Sequence, residues 1–312
     1  MKSAVQNIQT ANKKPLWRRI WECKILYLFL LPSIVYLILF QYWPMYGIQV
    51  AFRNYSIGDG FTASPWVGLK WFDYFLTSRL FPTILRNTIE ISLYSLIAGF
   101  PMPIILALML NYVEKSAARR TCQTIVYMPH FISTIVIVGM ISSFFSTNGI
   151  FNTLIEFFGG TRSNLMGSAA AFKHIYVWTG VWQGMGWSSV IYMAALSSVS
   201  PELHEAALID GANLLQRMRH IDIPAIMPTI VTLLVMNCGG ILSVGFEKVY
   251  LMQNSMNVSE SEIISTYVYK QGLGSQKFSY STAIGLFNSV VNFIMLTVVN
   301  KISNRISGYG MW

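Results

Sequence analysis

Six long apolar stretches most strongly constrain what this chain can fold into. They lie at about residues 25–48, 89–110, 125–145, 174–196, 226–246 and 280–300. A helix that crosses the ~30 Å hydrocarbon layer of a bilayer needs roughly 20 apolar residues. Only 11% of the residues are charged, whereas a soluble domain has roughly 25%. The sequence therefore predicts an all-α polytopic membrane protein with six transmembrane helices.

We expect the first stretch to be a retained span and not a cleaved signal peptide. Its apolar run, residues 25–40, is longer than the central region of a signal peptide, and no small-x-small cleavage site follows it. Tyr42, Trp43 and Tyr46 then match the aromatic anchors that are enriched at membrane interfaces.

The distribution of basic residues predicts the orientation. With a cytoplasmic N-terminus, the inner segments hold 13 Lys and Arg in 79 positions and the outer segments hold 9 in 101. Cytoplasmic loops carry such an excess, so both termini are expected in the cytoplasm. The chain then divides into a cytoplasmic N-terminal segment (1–24), a transmembrane domain (25–300) and a cytoplasmic tail (301–312). No loop has the basic, aromatic-rich face that nucleic-acid binding requires.

The predicted inner loop between the fourth and fifth stretches carries the strongest local signals. A Ser-Pro start predicts a short helix from Pro201, and Gly211 is expected to end or bend it. A second helix is expected from Asn213 to about Asp222, and it should end there because Pro224 follows. An apolar helix pair that projects into water needs a partner to cover it. The alternative is a structural loop that lies on its own bundle.

At this loop the sequence resembles a known family. Glu205-Ala206-Ala207, Gly211, Ile221 and Pro224 match, in order and spacing, the EAA-x3-G-x9-I-x-LP pattern of binding-protein-dependent ABC import permeases. Ile223 in place of leucine is a conservative departure. Other segments resemble sugar-type permeases of the same family, and they lie at residues 65–69, 86–88, 149–152, 246–250 and 266–269.

Two further segments bear on the substrate subclass within that family. The closing residues 308–312 are similar to the oligosaccharide and polysaccharide permeases. The Thr-x-Gly-Gly-Pro segment that usually follows the fifth span is absent, and residues 253–257 stand in its place. The resemblance therefore implies a sugar importer, with an oligosaccharide as the expected cargo.

The resemblance implies the type I ABC importer permease fold and a set of partners. These are a second, homologous permease subunit, two ATPase subunits that bind ATP and magnesium, and an extracytoplasmic solute-binding protein. The chain itself is expected to have no ATPase site, catalytic residue, metal or cofactor, and to lie in a bacterial-type cell membrane. Loop 200–224 is implied to be the coupling element. Its implied coupling residues are Glu205, Ala206, Ala207, Asp210, Gly211, Ile221 and Pro224.

Polar and aromatic residues within the spans are candidates for the substrate path, because such residues are costly in lipid unless they face a cavity or another helix. Tryptophan rings can stack on sugar faces, and amides can bond to hydroxyls. The candidates are Trp182, Gln183, Trp187, Asn237, Asn288 and Asn292. The alternative is that the amides bond between helices and the tryptophans mark interfaces. Gly180-x-x-x-Gly184 is expected to allow close helix packing.

Other functions remain as alternatives. A permease for a peptide, lipid or metal complex is the main one, because the EAA loop reports energy coupling and not the cargo. An ion-driven secondary transporter usually needs carboxylates near the middle of the membrane, but Glu90 and Glu247 lie at span ends. A membrane-embedded enzyme is disfavoured because no His/Asp/Glu or Ser/His constellation assembles within the spans.

Overall fold

The computed structural model describes residues 21–113 and 115–308. The basic residues 13–19, which contribute to the predicted orientation, and the closing residues 309–312 lie outside these ranges. Within the described residues the chain is helical, apart from turns, loops and one isolated antiparallel bridge between Arg53 and Trp66. The predicted all-α fold class is therefore confirmed.

The main helices are labelled in chain order. They are α1 (Lys24–Leu37), α2 (Phe81–Gly99), α3 (Pro101–Asn111), α4 (Ser116–Tyr127), α5 (Thr134–Phe144), α6 (Ala169–Leu196), α7 (Pro201–Ile209), α8 (Ile223–Gly239), α9 (Phe246–Met252) and α10 (Phe278–Ser307). Shorter α-helices lie at Gly60–Ala63, Lys70–Leu76, Ile150–Phe157, Leu214–Arg217, Val258–Ser261 and Ile264–Tyr269. π turns lie at Ile38–Tyr42, Met218–Asp222 and Lys270–Gly274, and 3-10 segments at Trp43–Phe52 and Met128–Phe131.

Internal contacts divide the chain into two units, residues 1–50 and 51–312. α1 lies in the first unit and continues through a π turn into a 3-10 segment that ends at Phe52, just after the boundary between the units. Together they form the helical segment Lys24–Phe52, whose 29 residues are long and apolar enough to cross a membrane. The first predicted span, 25–48, falls within this segment.

In the second unit, three helical segments pass the same test of length and apolarity: Phe81–Asn111, Leu214–Gly239 and Phe278–Arg305. The bent pair α4–α5 adds another if the two helices form one span. α6 is about 42 Å long, but its glycines, serines and tryptophans make it less apolar. Four or five helices among the described residues therefore qualify, and the count of six spans stays a prediction.

The third predicted span, 125–145, is not one straight helix. α4 with its 3-10 extension meets α5 at 98°. Ile132 at the junction is extended, and the Ser133 hydroxyl caps α5 by accepting a hydrogen bond from the Val136 N–H. α5 alone rises only about 16 Å. The prediction of one helix over residues 125–145 was wrong. It relied on the apolar composition of the segment, although Pro129 and Ser133 were local signals of a helix break.

α6 lies at the centre of the second unit and packs against α2, α3, α4 and α8. It approaches the backbone of α4 closely at Gly186, where a Cβ atom would lie 1.9 Å from the Val126 carbonyl oxygen. Within the described part of this chain, no backbone packs closely against Gly180 or Gly184, so the predicted close packing there stays a prediction. A Cβ at Gly184 would have no neighbour within 4 Å, and one at Gly180 would meet Lys248 Nζ at 3.5 Å.

The chain enters α8 without the break that was expected at Pro224. The π turn Met218–Asp222 precedes α8, and the Ile223 N–H bonds to the Met218 carbonyl five residues earlier. Pro224 then lies in the first turn of α8, where a missing N–H costs nothing. α8 ends at Gly239 and a turn follows, so the fifth predicted span, 226–246, extended too far.

Candidate functional site

Side-chain caps define both helical starts in the loop that contains α7. The Ser200 hydroxyl accepts a hydrogen bond from the Glu202 N–H at 3.3 Å, which caps α7 as expected from the sequence. Asn213 and Gln216 form a capping box, in which each side chain accepts from the other residue's N–H at 2.9 and 2.8 Å. These caps give the loop a defined geometry.

α7 ends in a Schellman motif at Gly211. The glycine has a φ of +79°, which residues with a side chain rarely adopt. The Ala212 N–H bonds to the Ala207 carbonyl at 2.8 Å, and the Gly211 N–H bonds to the Leu208 carbonyl at 3.1 Å. The predicted end of the helix at Gly211 is therefore confirmed.

The surface of α7 is unusually apolar for a segment that faces solvent. Ile209 is 87% exposed, and Leu203 and Leu208 are each 54% exposed. Leu215, just beyond the helix, is 73% exposed. Of the implied coupling residues, Glu205, Ala206, Asp210, Gly211 and Pro224 are exposed, and Ala207 and Ile221 are half-buried. Most of these residues are thus accessible to another protein.

A buried carboxylate anchors this loop to the end of α3. Asp222 has no exposed surface; its Oδ2 accepts a hydrogen bond of 2.7 Å from the Tyr112 hydroxyl, and its Oδ1 lies 3.3 Å from His204 Nε2. The guanidinium of Arg217 lies over the Tyr112 ring. Burial, followed by the hydrogen bond to Asp222, raises the pKa of Tyr112. Sequence reasoning missed this link, although a lone Asp beside an apolar span was a signal.

A cavity of about 500 Å³ lies beside α6 in the second unit. Its walls come from α2, the start of α3, α6, α8, the turn that follows α8, and α9. Gly180 and Gly184 lie on the wall formed by α6. Serine hydroxyls, amides and aromatic rings provide polar and stacking contacts within an otherwise apolar lining.

Three of the six predicted path residues line the cavity. They are Gln183, Trp187 and Asn237. Trp182 is 44% exposed on α6 but is outside the lining. The assignment of these residues to a substrate path stays a prediction.

The two asparagines of α10 have different surroundings. Asn292 accepts a hydrogen bond from the Leu242 N–H at 3.0 Å and donates one to the Ser243 hydroxyl at 2.9 Å. It therefore holds the turn after α8 that forms part of the cavity wall. Asn288 has a buried Oδ1 for which the described residues provide no hydrogen-bond partner.

Lys248 places a cation in this cavity. The side chain is 8% exposed, and its ammonium donates to the Thr179 hydroxyl at 2.9 Å and to the Tyr176 carbonyl at 3.2 Å. The ammonium also lies 5.1 Å from the centre of the Tyr176 ring. No local sequence signal assigns a role to this residue, because its contacts come from α6, far away in sequence.

Four charged side chains join three segments near the start of α2. We call Arg86, Glu90, Lys173 and Glu260 the four-charge cluster. Lys173 binds both carboxylates, and Arg86 lies 2.7 Å from Glu260 and 3.8 Å from Glu90. The hydrogen bond from Lys173, with the charge of Arg86, lowers the pKa of Glu260 against the opposing effect of burial.

Asn254 and Asn257 shape the segment that replaces the family's Thr-x-Gly-Gly-Pro. The Oδ1 of each accepts a hydrogen bond from the backbone N–H of the other, at 3.1 and 2.9 Å. Both side chains donate to the Met166 carbonyl, at 2.9 and 3.0 Å. Residues 253–257 thus form a turn, and their side-chain amides attach it to the residues that precede α6.

Comparisons with known proteins cover most of this chain. A family model described as binding-protein-dependent transport system inner membrane component matches residues 99–308. Protein LplB of Bacillus subtilis (strain 168) is 40% identical over 307 residues, which is 98% of this chain and 96% of that protein. The polygalacturonan/rhamnogalacturonan transport system permease protein YteP of the same organism is 40% identical over 302 residues, or 96% and 94%.

A solved structure has the same fold. It is the crystal structure of a bacterial alginate ABC transporter in complex with an alginate pentasaccharide-bound periplasmic protein. One of its chains superposes with a TM-score of 0.87 at 37% sequence identity, covering 95% of this chain and 99% of that one. The similarity therefore extends over nearly the full length of both chains.

Proposed function

Because this chain belongs to the family of binding-protein-dependent transport system inner membrane components, we propose that it is the permease subunit of an ATP-driven oligosaccharide importer. The observation that carries this proposal is the exposed helix α7, which has the family's coupling pattern and an apolar surface. The cargo class is supported by the polygalacturonan/rhamnogalacturonan permease and the alginate transporter to which the chain is similar.

We assign α7 as the coupling helix, which docks into a cleft of an ATPase subunit. Docking covers Leu208 and Ile209, whose exposure in water is unfavourable. Glu205 pairs with a basic group of the ATPase, and the small side chains of Ala206 and Ala207 allow close approach. The chain supplies no ATPase site of its own; ATP and magnesium bind to the two ATPase partners.

The buried link at Asp222 gives a route from the coupling helix to the cavity. Asp222 contacts His204 on α7 and Tyr112 directly after α3. α2 and α3 continue from that point to the cavity wall. When the ATPase subunits close, movement of α7 is transmitted through this link to the helices around the cavity, as a rigid-body change in access.

The cavity is the best candidate for this chain's share of the sugar path. A second, homologous permease subunit completes the path, with each subunit supplying one side. Gln183 and Asn237 bond to sugar hydroxyls, and Trp187 offers a ring face for stacking. The other three predicted path residues lie outside the lining and either support the structure around the cavity or contact the partner permease subunit: Trp182, Asn288 and Asn292.

The proposed arrangement places six spans in a bacterial-type plasma membrane with both termini in the cytoplasm. α7 then faces the ATPase subunits, and the four-charge cluster faces the extracytoplasmic binding protein. The complex of the similar alginate transporter with a periplasmic protein supports a binding-protein partner. Glu90 of the cluster and Tyr112 are separated by roughly 33 Å of helical rise along the segment Phe81–Asn111.

Replacement of one charge on α7 tests the coupling assignment. We expect Glu205→Lys to reduce both ATP-dependent oligosaccharide uptake and cargo-stimulated ATP hydrolysis by at least about tenfold, because loss of a charge-assisted contact and introduction of a like charge weaken docking. Both rates are measured in proteoliposomes that contain the complete importer, with the loaded binding protein added.

Glu202→Lys is the matched control, because it makes the same charge change on the same exposed helix one turn earlier. We expect it to retain most of the uptake. Uptake that survives Glu205→Lys, or that falls equally in both variants, contradicts the assignment of Glu205 as a docking residue.

A further inference from the structure

Lys248 is the one formally charged side chain among the described residues that line the cavity. Its hydrogen bonds go to two neutral oxygen atoms, the Tyr176 carbonyl and the Thr179 hydroxyl. No carboxylate forms an ion pair with it within the described part of the chain. The cavity therefore holds an uncompensated positive charge.

Removing a cation from water is costly unless an anion compensates it. Two neutral acceptors satisfy part of the hydrogen-bonding capacity of an ammonium group, which has three donors, and leave its charge unbalanced. Lys173, which is 15% exposed, shows the contrast, because it binds two carboxylates. A compensating anion for Lys248 must therefore come from outside the described residues.

The approach to the Lys248 ammonium is open from the cavity. A Cβ atom at Gly180 would lie 3.5 Å from Nζ, so the missing side chain leaves space directly beside the charge. Gln183 and Asn237 line the same cavity with neutral hydrogen-bonding groups, and Trp187 supplies an aromatic ring. A ligand that fits this lining carries hydroxyls, an apolar ring face and one negative group.

We infer that the cavity recognises an acidic sugar, and that Lys248 binds a ring carboxylate of a uronate residue as it passes. This inference rests on the proposed function, because it requires the cavity to be part of the import path. It extends that function by naming the charge of the cargo and the residue that reads it. A carboxylate and an ammonium form a charge-assisted pair that neutral sugars cannot make.

The test compares uptake of acidic and neutral cargo by the complete importer in proteoliposomes with its binding protein. The probes are trimers of galacturonate, mannuronate and glucuronate, together with their carboxyl-reduced neutral counterparts. We expect Lys248→Met to lower uptake of the uronate trimer by at least about tenfold, with less than about twofold change for a neutral trimer, and Lys248→Arg to retain uronate uptake.

Two further variants separate charge recognition from packing. Gly180→Val keeps the lysine but covers the ammonium, so it is expected to lower uronate uptake more than neutral uptake. Lys277→Met removes an exposed charge outside the cavity lining and is expected to leave both rates unchanged.

Equal loss of uronate and neutral uptake in Lys248→Met shows that the lysine only supports packing and overturns the inference. Unchanged uronate uptake in that variant, or wild-type uptake of neutral trimers alone, also overturns it while leaving the proposed importer intact. A wild-type importer that carries neither class of trimer overturns the proposed sugar cargo and the inference together.

Discussion

Gly186 determines how closely α6 approaches α4. The hypothetical Cβ would lie 1.9 Å from the Val126 carbonyl oxygen and 2.5 Å from its carbonyl carbon. Both neighbours are backbone atoms, so no side-chain rotation can relieve the overlap. The two helices must therefore move apart if any side chain is introduced at this position.

We expect Gly186→Ala to lower the stability of the protein by about 1–3 kcal/mol, because overpacking against a backbone forces helix displacement. The measurement is the thermal unfolding midpoint of the detergent-solubilised permease complex. Gly184→Ala is the control, because a Cβ there has no neighbour within 4 Å. Equal stability of the two variants would show that this close approach does not limit the packing of α6.

Asp222 is a second single residue that determines how helices are placed, because it links α7 to the end of α3. Its two oxygen atoms face groups from separate segments, Tyr112 after α3 and His204 on α7. A buried carboxylate of this kind is costly unless polar partners compensate it. The arrangement fixes the orientation of α7 relative to α3, which a purely apolar contact would leave less specific.

At the scale of secondary-structure elements, the end of α7 depends on one left-handed residue. Gly211 at φ +79° allows both hydrogen bonds of the Schellman motif to form. These bonds end α7 before the short helix Leu214–Arg217 begins. The relative direction of the two helical parts of the loop is therefore set at this residue.

We expect Gly211→Val to reduce ATP-dependent uptake strongly, because a β-branched residue in this conformation costs at least about 1–2 kcal/mol and the loop would relax to another geometry. Gly211→Asn is the control, since asparagine tolerates the left-handed region better. Uptake by the complete importer is measured for both variants. Full activity of Gly211→Val would mean that coupling does not need this turn.

Much of this loop could be predicted from sequence because its signals are local. The cap at Ser200, the stop at Gly211 and the family pattern lie within a few turns of the residues that they affect. The break at Ile132 was missed because the apolar composition of the segment suggests an uninterrupted span. The direct passage from the loop into α8 was missed because a π turn places Pro224 in a first helical turn.

The parts of the site that sequence did not reveal depend on long-range contacts. Lys248 meets α6 residues that lie about 70 positions earlier, and no periodic pattern reports that meeting. Asp222 and Tyr112 are separated by 110 positions. Gln183 was selected from sequence as a polar residue in an apolar stretch, and the structure places it both at the cavity and near the Ile132 carbonyl.

At the scale of the whole molecule, the four-charge cluster joins α2, α6 and the short helix Val258–Ser261. Lys173 on α6 binds Glu90 on α2 and Glu260, while Arg86 binds the same two carboxylates from α2. Asn87 reinforces this junction by donating to the Ser259 and Glu262 carbonyls at 2.9 and 3.2 Å. The segment between α9 and α10 is therefore held to the bundle at one end.

The cluster predicts a pH-dependent contribution to stability. Its cations lower the pKa of Glu260 below its ordinary value of 4.5, so the folded state favours the ionised carboxylate. This contribution is fully present above the ordinary pKa and is lost as the pH falls through the lowered one. We expect Glu260→Gln to destabilise the complex at pH 7 by about 1 kcal/mol, because ion pairs in a network contribute more to folding stability than isolated surface pairs do.

The difference between Glu260→Gln and the wild type should shrink as the pH is lowered below the ordinary pKa of 4.5, as measured by thermal unfolding in detergent. Glu156→Gln is the matched control, because Glu156 forms a local, more exposed pair with Arg162 at 2.7 Å. A constant difference across this pH range would show that ionisation of Glu260 does not stabilise the junction.

The bent pair α4–α5 has a consequence for how the protein is made. Ile132 at its junction is extended and interrupts the helical hydrogen bonds, and inside a lipid layer the peptide groups of such a break must be covered by protein. Gln183 of α6 donates a long hydrogen bond of 3.5 Å to the Ile132 carbonyl at this junction. Ribosomes synthesise α6 after both members of the pair. If α4–α5 crosses the membrane as one span, we expect the pair to reach its final position only after α6 has arrived.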